Sequence, residues 1–474
     1  MSDTSSTRGG MSLAAKFGYG AGEFSSAIFW VTIAFWLMNY LTDVLGLSAA
    51  LAGLAVLLGK GIDAFVDPGV GFLSDKTRSR WGRRRPWFLF GAIPFGLAFI
   101  LMFAKPGFAG QGGLFVWSCL AFILLNVAYS CVNVPYNSLL PELSDNYDER
   151  SSITGVKSVY SIVGALLGAG AAMPVINAAG GGAGGFLAMG VLFGILAAVG
   201  VLIPFFATRE RQPASAAGAM PEPAAPARAT SAAAAPSIVR SNKAALSNRP
   251  FRLILGVWTL NTCGITVVTT TLVYYFKYVF GNANLITLAS LIMMLGAMAF
   301  VPIVVRISKS IGKRTTYAIG MSIVTLACLL MFFFGQRTGI VGVYVLMLAA
   351  GMGLSTNYVM PWAIVPDTID YDYAESGVKR EGVYYGLWTF MIKIGQALAA
   401  AFVGVALNLA GYVPDIAQGA TALFGIRFLV GPAAALFFVI AIVLLALYPI
   451  DKKAYEEIRA KIDRRESKAA AGAP

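Results

Sequence analysis

Two carboxylates set the chemistry of this 474-residue chain. Asp63 and Asp67 lie in Lys60-Gly-Ile-Asp-Ala-Phe-Val-Asp-Pro68, inside an otherwise apolar stretch over 47–73. Their i, i+4 spacing puts both on one face of a helix. The stretch is long enough to cross a bilayer. An acid at mid-bilayer costs about 2.5 to 3.5 kcal/mol on insertion scales. Two on one face need a partner: a cation, a proton, or a buried Lys or Arg. Such a pair either holds a cation in a transport path or belongs to a structural salt-bridge network. Intramembrane acids are functional by default.

The elements that must position these acids follow from composition. Hydrophobic residues make up 57% of the chain and charged residues 12%, about half the charge of a soluble domain. The chain is therefore an integral membrane protein. Its apolar runs are too long for membrane strands, so the class is all-α. Twelve spans are expected, over 17–43, 48–73, 87–104, 114–140, 152–177, 185–207, 251–280, 284–306, 316–335, 340–366, 382–409 and 424–449. A net charge of +13 does not point to nucleic acid, because the basic residues sit in short loops between spans. There is no His, which excludes a His proton relay, a His-containing triad and a His-ligated metal. The four cysteines fall inside spans, without metal-like spacing. No nucleophile or nucleotide motif is visible, so no enzyme and no cofactor is expected.

Loop charge gives the orientation. The loop after the second span carries Lys76, Arg78, Arg80, Arg83, Arg84 and Arg85, and that after the eighth carries Arg306, Lys309, Lys313 and Arg314. The opposite loops are nearly uncharged. Both termini are therefore expected in the cytoplasm, with the chain in the cell (inner) membrane. The expected division is a cytoplasmic tail over 1–16, a six-helix half over 17–208, a cytoplasmic linker over 209–250, a second six-helix half over 251–449 and a cytoplasmic tail over 450–474. The linker is rich in Ala, Pro and Ser and reads as disordered.

The two halves repeat. Trp81-Gly-Arg-Arg84 matches Ile311-Gly-Lys-Arg314, Pro135-Tyr-Asn-Ser-Leu-Leu-Pro-Glu142 resembles Pro361-Trp-Ala-Ile-Val-Pro-Asp367, and Arg150 matches Arg380, all at nearly one offset. Two six-helix pseudo-repeats with a substrate site between them is the major facilitator architecture.

Several blocks carry a family resemblance. They are Asp63-Ala-Phe-Val-Asp-Pro68 with Gly71-Phe-Leu-Ser-Asp75 and Arg78-Ser-Arg-Trp-Gly-Arg-Arg-Arg-Pro-Trp87; Asn133-Val-Pro-Tyr136 with Leu140-Pro-Glu142 and Asp148-Glu-Arg150; and Pro366-Asp-Thr-Ile-Asp-Tyr-Asp372 through Trp388 and Lys393. Together they resemble the glycoside–pentoside–hexuronide:cation symporters, the melibiose permease-like family. The resemblance implies that Asp63 and Asp67 bind the coupling cation, with Lys393 near them and coupling the halves. Physical logic agrees, since Lys393 lies in an apolar run and needs a counter-charge.

Sodium-using members carry Asn just before the second acid; here Val66 offers no oxygen to a hard cation. H⁺ is therefore expected over Na⁺, with Na⁺ at Asp63 and Asp67 the alternative. Melibiose permease has Asp where this chain has Asn133 and Trp where it has Asn137, so its sugar contacts do not carry over intact.

Glu23 lies in the first span beside the acid position of many relatives. Its carboxylate suits sugar hydroxyls, and the same acid kept from water is a proton carrier; a carboxylate that snorkels to the interface is the bland alternative. Lys157 lies near a basic sugar-binding position of relatives, or is simply interfacial. Trp362 and Trp388 offer faces to a sugar, or belong to an aromatic belt. Asn133, Tyr136 and Asn137 complete the expected substrate set. Asp75, Arg83, Arg84, Glu142, Arg150, Asp367 and Arg380 are expected to gate the cytoplasmic side, with Lys313 and Arg314 opposite Asp367 and Asp370. The basic loop after the second span lacks the glycine-rich nest of a phosphate site.

The expected protein is a monomeric symporter that imports a sugar or glycoside with a cation by alternating access. A hexuronate or a lysolipid is the alternative cargo, and a non-transporting membrane sensor the alternative class.

Overall fold

The computed structural model describes residues 11–108, 110–143, 147–208, 238–378 and 380–471. Among them, twelve helices are long and apolar enough to cross a membrane. They are α1 Leu13–Leu37, α2 Ala49–Lys76, α3 Arg85–Met102, α4 Gln111–Leu140, α5 Ser152–Ala178, α6 Gly182–Ala207, α7 Arg249–Val279, α8 Leu285–Ile311, α9 Lys313–Phe334, α10 Gly339–Ser376, α11 Glu381–Leu409 and α12 Ala420–Ala446. A thirteenth helix, α13, spans Lys452–Ala471.

The chain divides into two compact units: Met1–Leu47 with Leu58–Arg228, and Ser48–Leu57 with Ala229–Pro474. The units follow the two six-span sets, except that the first turns of α2 group with the second unit. There a Cβ added to Gly404 of α11 would lie 2.3 Å from the carbonyl oxygen of Ala49. Only glycine permits so close a crossing.

In the first unit, α1 is the central strut. Ser12 caps it by accepting from the Ala15 N–H at 3.2 Å. Ser25 donates to the Ala197 carbonyl of α6 at 2.8 Å, and Trp36 donates to the Gly168 carbonyl of α5 at 3.0 Å. Phe29 stacks on Tyr129 of α4 with ring centroids 4.2 Å apart. Wide turns of π type interrupt the spans at Ile33–Leu37, Leu167–Ala171, Tyr275–Val279 and Leu429–Ala433. Such turns recur at functional sites.

In the second unit, Phe251, Tyr317, Tyr384, Trp388 and Tyr448 belong to one buried core. Asn248 organises its edge. Its Oδ1 caps α7 by accepting from the Phe251 N–H, while its Nδ2 donates to the Tyr384 hydroxyl at 3.0 Å and the Thr368 carbonyl at 3.2 Å.

Two segments outside the expected spans are helical. Ile238–Ser247, at the end of the expected linker, forms a short helix whose Ala245 is buried in the second core. Linker residues 209–237 lie outside the described residues. The expected tail becomes α13, which packs along the end of α10. Tyr455 donates to Asp370 at 3.0 Å, Arg459 lies 3.6 Å from Asp370, and Lys461 lies 2.6 Å from Glu375. Burial, then the bond to Asp370, pushes the Tyr455 phenol up to about 12, so it remains a donor at neutral pH.

Helix α10 also runs past its expected end at 366 to Ser376, where Gly377 stops it in a left-handed conformation with φ 71°. Pro361 and Pro366 lie inside it.

Candidate functional site

The expected acids sit on the part of α2 that belongs to the first unit. Asp63 is 1% exposed. Its Oδ1 accepts a hydrogen bond at 2.7 Å from Ser130 of α4, itself 1% exposed. Asp67, one turn on, is half-buried, as is Val66. This face of α2 thus carries two carboxylates, and Ser130 of α4 brings a hydroxyl oxygen to Asp63. One turn before Asp63, Lys60 is buried, with its ammonium 5.1 Å from the ring centre of Trp30. Trp30 in turn donates to the Tyr129 hydroxyl at 2.9 Å. A cation over an indole face is held by the ring quadrupole.

A second polar network links α1, α4 and α5. Lys157 lies 3.1 Å from Glu23 and donates to Asn137 Oδ1 at 3.1 Å. Asn137 Nδ2 donates to Asn133 Oδ1 at 2.9 Å, and Ser26 donates to the same oxygen at 3.3 Å. The Lys157 ammonium sits 4.7 Å from the Tyr136 ring centre. Tyr136 and Tyr19 stack at 4.7 Å and each donates its hydroxyl to the other's backbone carbonyl. Gly22 of α1 allows this, because a Cβ there would lie 2.4 Å from the Tyr136 ring. A crevice beside the network is bordered by Gly22, Ser26, Asn133 and Tyr136. Glu23, Asn133, Tyr136, Asn137 and Lys157, expected one by one, form this single network. It brings together a carboxylate, an ammonium, amides and aromatic walls, the donors, acceptors and apolar faces of a small-molecule pocket.

In the second unit Lys393 is 7% exposed on α11. Trp388 is fully buried: Trp258 stacks on it at 5.5 Å with ring planes 5° apart, and Trp362 meets it edge-on at 6.4 Å. Trp388 therefore offers no open face. Trp362 is 50% exposed and does. Nearby, Asn261 of α7 donates to Asn357 of α10 at 2.5 Å.

Among the expected gating charges, Lys313 meets Asp367 as expected. Arg84 lies 3.2 Å from Asp75. Lys313 pairs with Asp367 at 2.7 Å, and Arg380 with Asp372 at 2.8 Å. Arg314, expected opposite Asp367 and Asp370, instead donates to the Tyr448 and Ala446 carbonyls at the end of α12. Those carbonyls have no intrahelical donor, so they draw a guanidinium. Arg85 likewise donates to the Phe205 carbonyl. The side chains of Glu142 and Arg150 lie outside the described residues.

Ser130, Lys60 and Trp30 were not assigned roles from sequence. Ser130 lies one turn before Asn133 on α4, a spacing that would have found it once Asn133 was singled out.

Twelve apolar spans, with charged and amide groups buried among those of the first unit, define a multi-pass membrane protein. Residues 18–452 match the family described as MFS/sugar transport protein. The chain belongs to this family, as the resemblance of its motifs to the glycoside–pentoside–hexuronide:cation symporters implies. It is 29% identical to the isoprimeverose transporter of Lactiplantibacillus pentosus, over 92% of this chain and 88% of that protein. It is 28% identical to a glucuronide carrier protein homolog of Escherichia coli (strain K12), over 94% and 95%. Among solved structures, a variant of the nucleoside transporter NupG superposes with a TM-score of 0.66 at 13% identity, covering 92% of this chain and 99% of that one. A bacterial homolog of the human lysosomal transporter Spinster gives 0.63 at 14%, covering 94% and 97%. These two likenesses establish the major facilitator fold.

Proposed function

We propose that this protein imports a sugar or glycoside together with a cation, H⁺ rather than Na⁺, by alternating access in the cell membrane, with both termini in the cytoplasm. The observation that carries the reading is the Glu23–Lys157–Asn137–Asn133 network, an assembly of charged and amide groups inside a membrane-spanning unit. Such groups are costly in a bilayer and mark substrate and ion paths. Sugar hydroxyls match them as donors and acceptors. Asp63 and Asp67 supply the cation step: a proton on one carboxylate removes buried negative charge, while Val66 leaves a sodium ion short of an oxygen. Lys393 is the proposed counter-charge that couples the second unit to this step.

A hexuronate is the second reading. Lys157 brings a cation to the network, and a substrate carboxylate could exchange with Glu23 as its partner. The isoprimeverose and glucuronide relatives support the sugar class in both readings.

The test is substrate-induced ion movement in proteoliposomes. A panel of mono- and disaccharides and hexuronates is supplied with and without Na⁺, to wild type and Asp67→Asn. Sugar-dependent alkalinisation outside the vesicles, absent in the variant, is the expected result. Uptake that requires Na⁺ overturns the proton assignment, and a folded protein that moves no sugar overturns the cargo class.

A further inference from the structure

A second polar cavity lies in the second unit, away from the network just described. It has a volume of about 830 Å³ and opens where α8 ends and α9 begins. Lys309, Lys313, Arg314 and Lys453 border it, with Asp367 and Tyr448. Two of these cations are committed: Lys313 to Asp367 and the Ala363 carbonyl, Arg314 to the end of α12. Lys309 and Lys453 are exposed and have no ion pair among the described residues. Asp451, also at the rim, accepts from the Ala454 N–H at the start of α13.

Three further features describe a ligand. First, α9 begins here directly after Gly312, whose φ is 86°, and no side chain caps it. Its first N–H groups have no intrahelical acceptor, and the helix dipole makes this end positive. Second, Tyr448 borders the cavity, is 1% exposed, and its hydroxyl has no hydrogen-bond partner among the described residues. A buried hydroxyl without a partner costs free energy. Third, Ile303, Ile307 and Ile311 are 45%, 42% and 44% exposed. Spaced by four, they make one apolar stripe along α8 that ends at the cavity rim. Helix ends lie at the level of lipid headgroups, and basic pockets between spans hold such headgroups.

We propose that this cavity binds a phosphate group, and that the isoleucine stripe selects the phosphate of an anionic phospholipid whose acyl chain lies along α8. Lys309 and Lys453 supply charge, the free N–H groups at the start of α9 donate to the phosphate oxygens, and Tyr448 donates its hydroxyl.

The experiment compares purified full-length wild type with Lys309→Gln/Lys453→Gln and with a charge-matched control, Arg306→Gln/Lys76→Gln. All four residues, three lysines and one arginine, are exposed, so the variants should fold; the control separates net charge from site. One arm measures retention of phosphatidylglycerol against phosphatidylcholine by native mass spectrometry. The other measures the thermal shift produced by millimolar inorganic phosphate. The expected result is preferential retention of phosphatidylglycerol by wild type and control, reduced at least fivefold in the cavity variant, with no shift by inorganic phosphate. A phosphate shift lost only in the cavity variant, without lipid preference, keeps the phosphate site and overturns its lipid source. Equal behaviour of all three proteins in both arms overturns the proposal.

Discussion

Ser130 on α4 donates its hydroxyl to the buried Asp63 carboxylate on α2 at 2.7 Å. This bond joins two spans at the acid on which ion coupling is proposed to depend. A hydrogen bond to a charged group contributes about 1.5–3 kcal/mol. The hydroxyl favours the unprotonated carboxylate, so Ser130→Ala should strengthen apparent proton affinity by about tenfold, and Ser130→Thr should reverse most of the change. The check is initial sugar uptake in proteoliposomes across a pH series. If Ser130→Ala shifts only expression and not the pH profile, the hydroxyl is structural.

The Glu23–Lys157 pair is partly exposed, with side chains 26% and 13% accessible. Such pairs contribute about 0–1 kcal/mol to stability. Lys157→Gln and Glu23→Gln should thus leave the melting temperature nearly unchanged while lowering substrate affinity by about tenfold, one lost charge-assisted bond. Binding measured by calorimetry on both singles and the double variant should show coupling. Selective loss of hexuronate over neutral sugar in Lys157→Gln would favour the second reading.

The three tryptophans of the second unit should separate by role. Trp388 is fully buried against Trp258, so Trp388→Ala should destabilise by about 3–5 kcal/mol. Trp362 is half-exposed, so Trp362→Ala should cost little stability and, if its face meets substrate, should lower affinity. Thermal unfolding paired with sugar binding distinguishes them. Unchanged binding in a stable Trp362→Ala protein removes this residue from the substrate set.

Lys313 and Asp367 are bound at 2.7 Å, with Asp367 only 10% accessible. Asp367→Asn should destabilise by about 1–3 kcal/mol, because the ammonium loses its charged partner. The exchanged pair Lys313→Asp/Asp367→Lys should recover part of this. If the pair also gates, transport rate should change beyond what stability predicts, and the exchanged pair should recover it too. Normal rates in Asp367→Asn would leave the pair a purely structural one.

The twelve spans were readable because lipid demands long apolar runs, and that demand overrides local detail. The polar ends were not. The span expected to stop at 366 continues through Asp367-Thr-Ile-Asp-Tyr-Asp to Ser376, because hydropathy marks where lipid ends and says nothing of where a helix ends. The helix α13 was missed for a related reason: its polar surface reads as solvated, and its order comes from contacts with Asp370 and Glu375 far away in sequence. In the site, Asp63 and Glu23 announced themselves as acids in apolar runs. Ser130 did not, since a serine in a membrane helix ordinarily bonds its own backbone and only the facing helix assigns it otherwise. Arg314 was misjudged because carbonyls at a helix end, invisible in a list of charges, compete with carboxylates for guanidinium groups.

The overrun of α10 has a mechanical consequence. A helix of 38 residues is about 57 Å long at about 1.5 Å per residue, nearly twice the thickness of about 30 Å of a hydrocarbon core. Its polar last turns form an arm, with Asp370, Asp372 and Glu375 held by Arg459, Arg380 and Lys461. A small tilt about Pro361 or Pro366 would sweep the tip of that arm through a much larger arc. Whatever displaces the intramembrane part of α10 is thus magnified at the aqueous surface, where three salt bridges either follow the motion or break.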